Sequence, residues 1–108
     1  MKILIMLYIV VTATVYNAVP EQTNADCLTT ASLKKIDSLK HRWVAVSRDL
    51  EELGYTMGTK ILVTGAGDLD GVWTVEDRMN KRWECRIDFL VNNDRIYGKW
   101  ENVKITKL

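Results

Sequence analysis

The sequence has few of the residues on which most enzyme chemistry depends. Its 108 residues include one histidine and two cysteines, and 15 Lys+Arg are balanced by 14 Asp+Glu. The resulting net charge of +1 gives no general attraction to nucleic acid, which is normally bound by strongly basic proteins. The single histidine, His41, has no candidate nucleophile around it, so a histidine-based catalytic triad has no support.

Motifs for metals and nucleotides are also missing. The sequence contains no CxxC, no HExxH and no P-loop, and Gly65-Ala66-Gly67 is too short for a dinucleotide fingerprint. We therefore predict no metal and no other cofactor, which leaves carboxylates as the candidates for acid–base chemistry. With 47% hydrophobic and 27% charged residues, the composition is that of an ordinary globular domain, and the length allows only one.

The first 25 residues have the pattern of a secretory signal peptide. One positive charge is followed by apolar residues 3–11 and then by small and polar residues. The apolar run is shorter than the roughly 20 residues that a transmembrane helix needs. We predict export to the periplasm, cell envelope or extracellular space, with cleavage after Ala25, or after Ala18 as a second site. A retained segment that anchors the protein to the membrane is the alternative.

Export changes the interpretation of the two cysteines. In an oxidising compartment Cys27 and Cys85 can form a disulfide, which would stabilise the domain by about 4 kcal/mol in the loop-entropy model. That is a large contribution for a mature chain of about 83 residues, because small cores are only marginally stable. The alternative is that Cys85 is a buried free thiol.

The rest of the chain is predicted to be mostly β. Short strand patterns recur at spacings near ten residues, with glycine between them, as in a small β-barrel. The clearest alternation runs from Trp83 to Val91 and places Asp88 on the face opposite Ile87 and Phe89. Strands are predicted at 43–46, 60–64, 71–75, 83–91 and 102–107, with a helical turn at 47–53.

Three aspartates lie beside these strands: Asp49, Asp77 and Asp88. A carboxyl group can act as a general acid when its surroundings raise its pKa toward the working pH. If Asp77 and Asp88 lie on adjacent strands, each charge would resist ionisation of the other. The alternative is that the three carboxylates cap turns or form ion pairs with neighbouring arginines.

Four segments that follow one another along the chain carry a resemblance: Val44–Asp49, Gly58–Ile61, Val75–Asp77 and Arg86–Phe89. In their order and spacing they resemble the three-aspartate (3D) domain, which is similar to the barrel of membrane-bound lytic transglycosylase A. Two further segments, 30–32 and 102–105, resemble the opening segment and the closing strand of that domain. The resemblance covers about residues 27–108 and implies a six-stranded double-psi β-barrel of the RlpA-like type over residues 26–108.

The resemblance also implies an activity, cleavage of peptidoglycan or a related glycan. Asp88 would be the catalytic acid/base, Asp77 would adjust its pKa, and Asp49 would lie further from the chemistry. Protonated Asp88 would donate to the glycosidic oxygen and then accept the proton of the sugar's own C6 hydroxyl, which closes a 1,6-anhydro ring. This intramolecular attack needs one carboxyl group, whereas hydrolysis ordinarily needs two.

Substrate contacts follow from the same resemblance. Thr30 lies in the opening segment, and Asn80 and Arg82 follow the second aspartate, where many members have a Gly-Gly pair. The bulkier, basic residues found here would narrow the cleft or contact an anionic glycan. Trp83 or Trp100 could stack on sugars, although a position in the core is the other interpretation.

One departure bears on catalysis. The lytic transglycosylase binds glycan in a groove between its barrel and a second domain. A chain of this length has no room for the second domain. A non-catalytic barrel that binds peptidoglycan or another polysaccharide is therefore the alternative function, and a partner protein could complete the cleft.

Overall fold

The computed structural model describes residues 7–17, 42–91 and 97–108. Within these ranges the chain forms six strands, one short α-helix and one 3₁₀ turn, and no helix there is long and apolar enough to cross a membrane. The elements in chain order are β1 (Ile9–Tyr16), β2 (Trp43–Val46), α1 (Arg48–Glu52), β3 (Lys60–Thr64), the 3₁₀ turn (Gly67–Leu69), β4 (Gly71–Arg78), β5 (Arg86–Leu90) and β6 (Lys99–Lys107).

The strands close into a barrel in the order β1-β5-β2-β4-β3-β6. The pairs β1–β5 and β2–β4 are parallel, and the other four pairs are antiparallel. Closure gives every strand two hydrogen-bonded neighbours, so no strand is left with an unpaired edge. The prediction of a small, mostly β barrel is confirmed.

Alternating side chains fill the barrel interior. The Trp73 ring packs on Phe89 with centroids 4.6 Å apart, and Trp100 meets Phe89 edge-on at 6.1 Å. Such tilted and edge-to-face contacts add to the stabilisation from burial. Fully buried aliphatic side chains of the strands surround these rings: Val44, Val46, Ile61, Val63, Val75, Ile87, Val103 and Ile105.

The fifth strand is shorter than its sequence pattern predicts. It begins at Arg86 rather than Trp83, because Cys85 has a φ of 47°, outside the extended region. Cys85 is consequently exposed, so the alternative of a buried thiol is wrong, and its thiol is free in this structure. Cys27 lies outside the described residues, and its pairing with Cys85 stays a prediction.

The first strand lies within the predicted signal peptide. Val11 and Ala13 of β1 are buried in the barrel core, and β1 closes the barrel between β5 and β6. The barrel of this structure therefore begins at Ile9, before the predicted domain start at residue 26. Cleavage after Ala25 would remove one of its strands.

Candidate functional site

A row of four side chains crosses the outer face of four adjacent strands. Asp88 of β5 is in register with Thr14 of β1 on one side and with Ala45 of β2 on the other. Ala45 is in turn in register with Asp77 of β4. The strands of Asp77 and Asp88 are thus separated by β2 rather than adjacent, and their Cα atoms are about 10 Å apart at ordinary strand spacing.

Asp77 reaches this face through a β-bulge. Val44 pairs with Val75 and the next residue, Ala45, pairs with Asp77, so Glu76 is an extra residue in β4. Without the bulge, Asp77 would have the same parity as Val75, which points into the core. A bulge redirects the side chains that follow it, and here it turns the Asp77 carboxylate toward the face that carries Asp88.

An apolar group of side chains lies on the same outer face as this row. We call it the outer cluster: Tyr16, Ala45, Met79 and Leu90 are buried in it, and half-buried Trp43 and Trp83 pack against them. Trp43 lies two residues before Ala45 and therefore on the same side of β2. The two aspartates thus share the outer face of the barrel with an apolar cluster that includes two indole rings.

Asp88 is the most strongly perturbed carboxyl group of the site. The Thr14 hydroxyl donates to Asp88 Oδ1 at 2.9 Å. Burial raises the pKa of Asp88 to about 6, and the charge of Asp77 adds to this, while the Thr14 hydrogen bond and Arg86 oppose it. A carboxyl group with this pKa exchanges its proton close to neutral pH, as a general acid or base must.

Tyr16 connects the N-terminal strand to the second aspartate. Its hydroxyl donates to Asp77 Oδ2 at 3.4 Å. Burial, followed by the charges of Asp77 and Asp88, raises the pKa of Tyr16 well above its usual value. The phenol therefore stays protonated at physiological pH and remains a hydrogen-bond donor facing the carboxylates.

The turn after β4 carries two of the predicted substrate-binding residues. Asn80 is exposed and its side-chain oxygen accepts the backbone N–H of Arg82 at 3.1 Å. The Arg82 guanidinium lies 4.7 Å from the centre of the Trp83 ring, and that of Arg86 lies 4.3 Å from it. Trp83 is thus a platform for two cations at the edge of the outer cluster. Trp100 packs against the barrel core instead, and Thr30 lies outside the described residues.

Asp49 is placed away from the row. It belongs to α1, and its Oδ2 accepts the backbone N–H of Cys85 at 2.8 Å, while Ser47 Oγ accepts that of Arg86 at 3.0 Å. Burial raises the pKa of Asp49, but hydrogen bonds from Ser47 and Cys85 outweigh this effect and lower it. Asp49 thus holds Cys85, the residue just before β5, and Asp88 lies three residues after Cys85.

Three residues of the site did not emerge from the sequence. Thr14 and Tyr16 lie in the segment assigned to the signal peptide, and Trp43 was assigned to a buried strand. The β-branched residues of Ile9–Val15 were an available signal, because they favour strands. As for metals, the described ranges contain no group of three or more His, Cys, Asp or Glu side chains able to hold an ion.

Comparison with known proteins supports the fold. No protein-family model matches the sequence, and no curated protein matches it. The structure is similar to that of a mutant Clavibacter michiganensis expansin in complex with cellohexaose, with a TM-score of 0.62 and 14% sequence identity. The match covers 94% of this chain and 50% of the expansin chain, so this chain spans half that length. The expected double-psi β-barrel is confirmed, and membership of the three-aspartate family in particular stays a prediction.

Proposed function

We propose that this chain is a polysaccharide-binding barrel of the cell envelope or extracellular space, which holds a glycan on its outer cluster without cleaving it. The observation that carries the proposal is the row Thr14–Asp88–Ala45–Asp77 on the same outer face as the half-buried Trp43. The row combines polar groups in apolar surroundings, which is the usual composition of a small-ligand site.

The chemistry of a sugar fits this arrangement. A pyranose ring has an apolar face, which stacks on an indole ring, and a rim of hydroxyl groups that donate hydrogen bonds. Ionised Asp77 and Asp88 accept such bonds, and half-buried Trp43 offers the ring.

The similar expansin supports this proposal because it was crystallised with a glucan oligosaccharide. The resemblance to the three-aspartate domain extends the proposal to peptidoglycan or a related cell-wall glycan. A location outside the cytoplasm follows from these ligands.

Cleavage of the glycan is a second candidate function, favoured by the Asp88 pKa of about 6. Protonated Asp88 would donate to the glycosidic oxygen, and the carboxylate formed would accept the proton of the C6 hydroxyl as that oxygen attacks C1. The products would be one chain with a free end and one with a 1,6-anhydro end. No water enters this reaction, so one acid/base group serves both proton transfers.

Binding is tested by pelleting the protein with peptidoglycan sacculi and, separately, with cellulose. Trp43→Ala is expected to weaken binding about tenfold, equal to about 1.4 kcal/mol, through loss of the stacking surface. Tyr8→Ala is the control, since Tyr8 is an exposed aromatic residue that contacts Lys104 at the opposite end of β1. Equal binding by the Trp43→Ala and Tyr8→Ala variants would contradict a glycan site on the outer cluster.

Mass spectrometry of the same incubations separates the two candidates. Intact glycan with bound protein supports the binding module. 1,6-Anhydro products from the wild type, absent with Asp88→Asn and present with Glu101→Gln on β6, support the transglycosylase instead. Hydrolysed ends without anhydro rings would contradict the transglycosylase mechanism.

A further inference from the structure

The segment Ile9–Tyr16 has two interpretations that exclude one another. As part of an apolar run it predicts a signal peptide that is cleaved away, and in the structure it is a strand of the closed barrel. A segment that has been cleaved off after Ala25 cannot also pair with β5 and β6. The structure therefore bears on whether the functional protein keeps residues 9–16 or has lost them by cleavage.

Backbone and side-chain hydrogen bonds tie the middle and the C-terminal end of β1 into the barrel. The Thr12 N–H donates to the Cys85 carbonyl at 3.1 Å, and the Val91 N–H donates to the Tyr16 carbonyl at 3.0 Å. Asn17, which is buried, donates from Nδ2 to the Val91 carbonyl at 3.2 Å. Loss of β1 would leave these groups, and the facing edges of β5 and β6, without their partners.

The same strand forms one side of the candidate site. Thr14 donates to Asp88, and Tyr16 donates to Asp77 and belongs to the outer cluster. Both residues precede the predicted cleavage position, Ala25. A chain that began at residue 26 would keep both aspartates but lose a hydrogen-bond donor to each.

We infer that residues 9–17 are retained in the working protein, where β1 closes the barrel and Thr14 and Tyr16 position the two site carboxylates. A signal-peptide cleavage that releases residues 9–17 therefore does not occur in the working protein. The inference rests on the packing of β1 and is independent of the ligand, so it stands or fails separately from glycan binding.

Two neighbouring substitutions in the full-length chain test this. Val10 is 47% exposed and Val11 is 3% exposed. In a barrel strand, Val11→Arg buries an unpaired charge and Val10→Arg does not. We expect Val11→Arg to lose the cooperative melting transition or lower Tm by more than about 15 °C, and Val10→Arg to stay within about 3 °C of wild type.

A removed signal segment predicts a different result. Both arginines would leave with the segment, so the mature proteins would melt alike and only the yield of export would change, to a similar extent for both variants. Equal melting of the two variants, whether wild-type-like or equally lowered, would overturn the inference.

The mass of the intact protein provides the second measurement. Protein purified from the cells that produce it is expected to contain residues 9–17. A mature chain that begins at Asp26 and still melts cooperatively would also overturn the inference. Neither measurement uses a glycan, so failure here is distinguishable from failure of the proposed function.

Discussion

The raised pKa of Asp88 makes a quantitative prediction about stability. A pKa of about 6 in the folded protein, against an ordinary value of 3.8, means that folding favours the protonated carboxyl group. At about 1.4 kcal/mol per pKa unit, the difference corresponds to about 3 kcal/mol. The folded state binds the proton more tightly, so protonated Asp88 stabilises the folded protein below pH 3.8, and this stabilisation is lost as the pH rises through 6.

Asp88→Asn removes the free-energy cost of ionising this buried carboxyl group. The amide carries no charge at any pH and retains an oxygen that can accept the Thr14 hydrogen bond. The difference in unfolding free energy, variant minus wild type, should change by about 3 kcal/mol in favour of the variant between about pH 3 and pH 7. Urea denaturation at four pH values in this window, followed by tryptophan fluorescence, measures the difference directly.

Glu51→Gln provides a control of opposite sign. Arg78 donates to both Glu51 carboxylate oxygens, at 2.6 and 2.9 Å, and this lowers the pKa of Glu51. The stabilisation is present above the ordinary pKa and is lost as the pH falls through the lowered value. Because the pair is partly exposed, it contributes about 1 kcal/mol or less.

A difference in unfolding free energy that does not change with pH would contradict the raised pKa of Asp88. If Asp88→Asn and wild type keep the same separation from pH 3 to pH 7, then Asp88 does not titrate with a raised pKa. The electrostatic basis for acid–base chemistry at this site would then be lost, while glycan binding would still be open to the pelleting test.

Two further predictions concern the helix and the thiol. Leu50→Ala is expected to lower the unfolding free energy by about 2–5 kcal/mol, because Leu50 is fully buried. Leu53→Ala is the control and is expected to lower it by less than about 0.5 kcal/mol, because Leu53 is 59% exposed. Thermal melts compare the two variants, and equal losses would contradict the described position of α1. Although the Cys85 side chain is exposed, partial desolvation by neighbouring atoms raises the pKa of its thiol, followed by Asp49 and then Glu84. In reduced protein at pH 8, Asp49→Asn is therefore expected to speed alkylation about two- to fivefold and Glu84→Gln by less. The reverse order would contradict the Asp49 contact.

Local alternation in the sequence was sufficient to orient Asp88. Ile87 and Phe89 point into the core and Asp88 points outward, as predicted, because neighbouring residues of a strand face opposite sides whatever strand lies beside them. The predicted strand at 71–75 ended before Asp77, and continuing its alternation would have turned Asp77 inward with Val75. One bulge residue, Glu76, reverses the parity instead.

The neighbours of each strand could not be obtained in this way. That β2 lies between the two aspartates, and that β1 stands beside Asp88, depends on pairing between residues far apart in the chain. The apolar pattern of β1 is equally consistent with a signal peptide and with a strand, and only its packing distinguishes them.

A small β-barrel, the outward direction of Asp88 and the residue types available for chemistry could therefore be predicted, since these follow from composition and from a period of two. The contacts of the site are seen only in the folded barrel: Thr14 meets Asp88, Tyr16 meets Asp77, and Asp49 meets the residue just before β5. The physical reason is that burial and hydrogen bonding across a closed barrel are set by strand order, and strand order is a property of the whole chain.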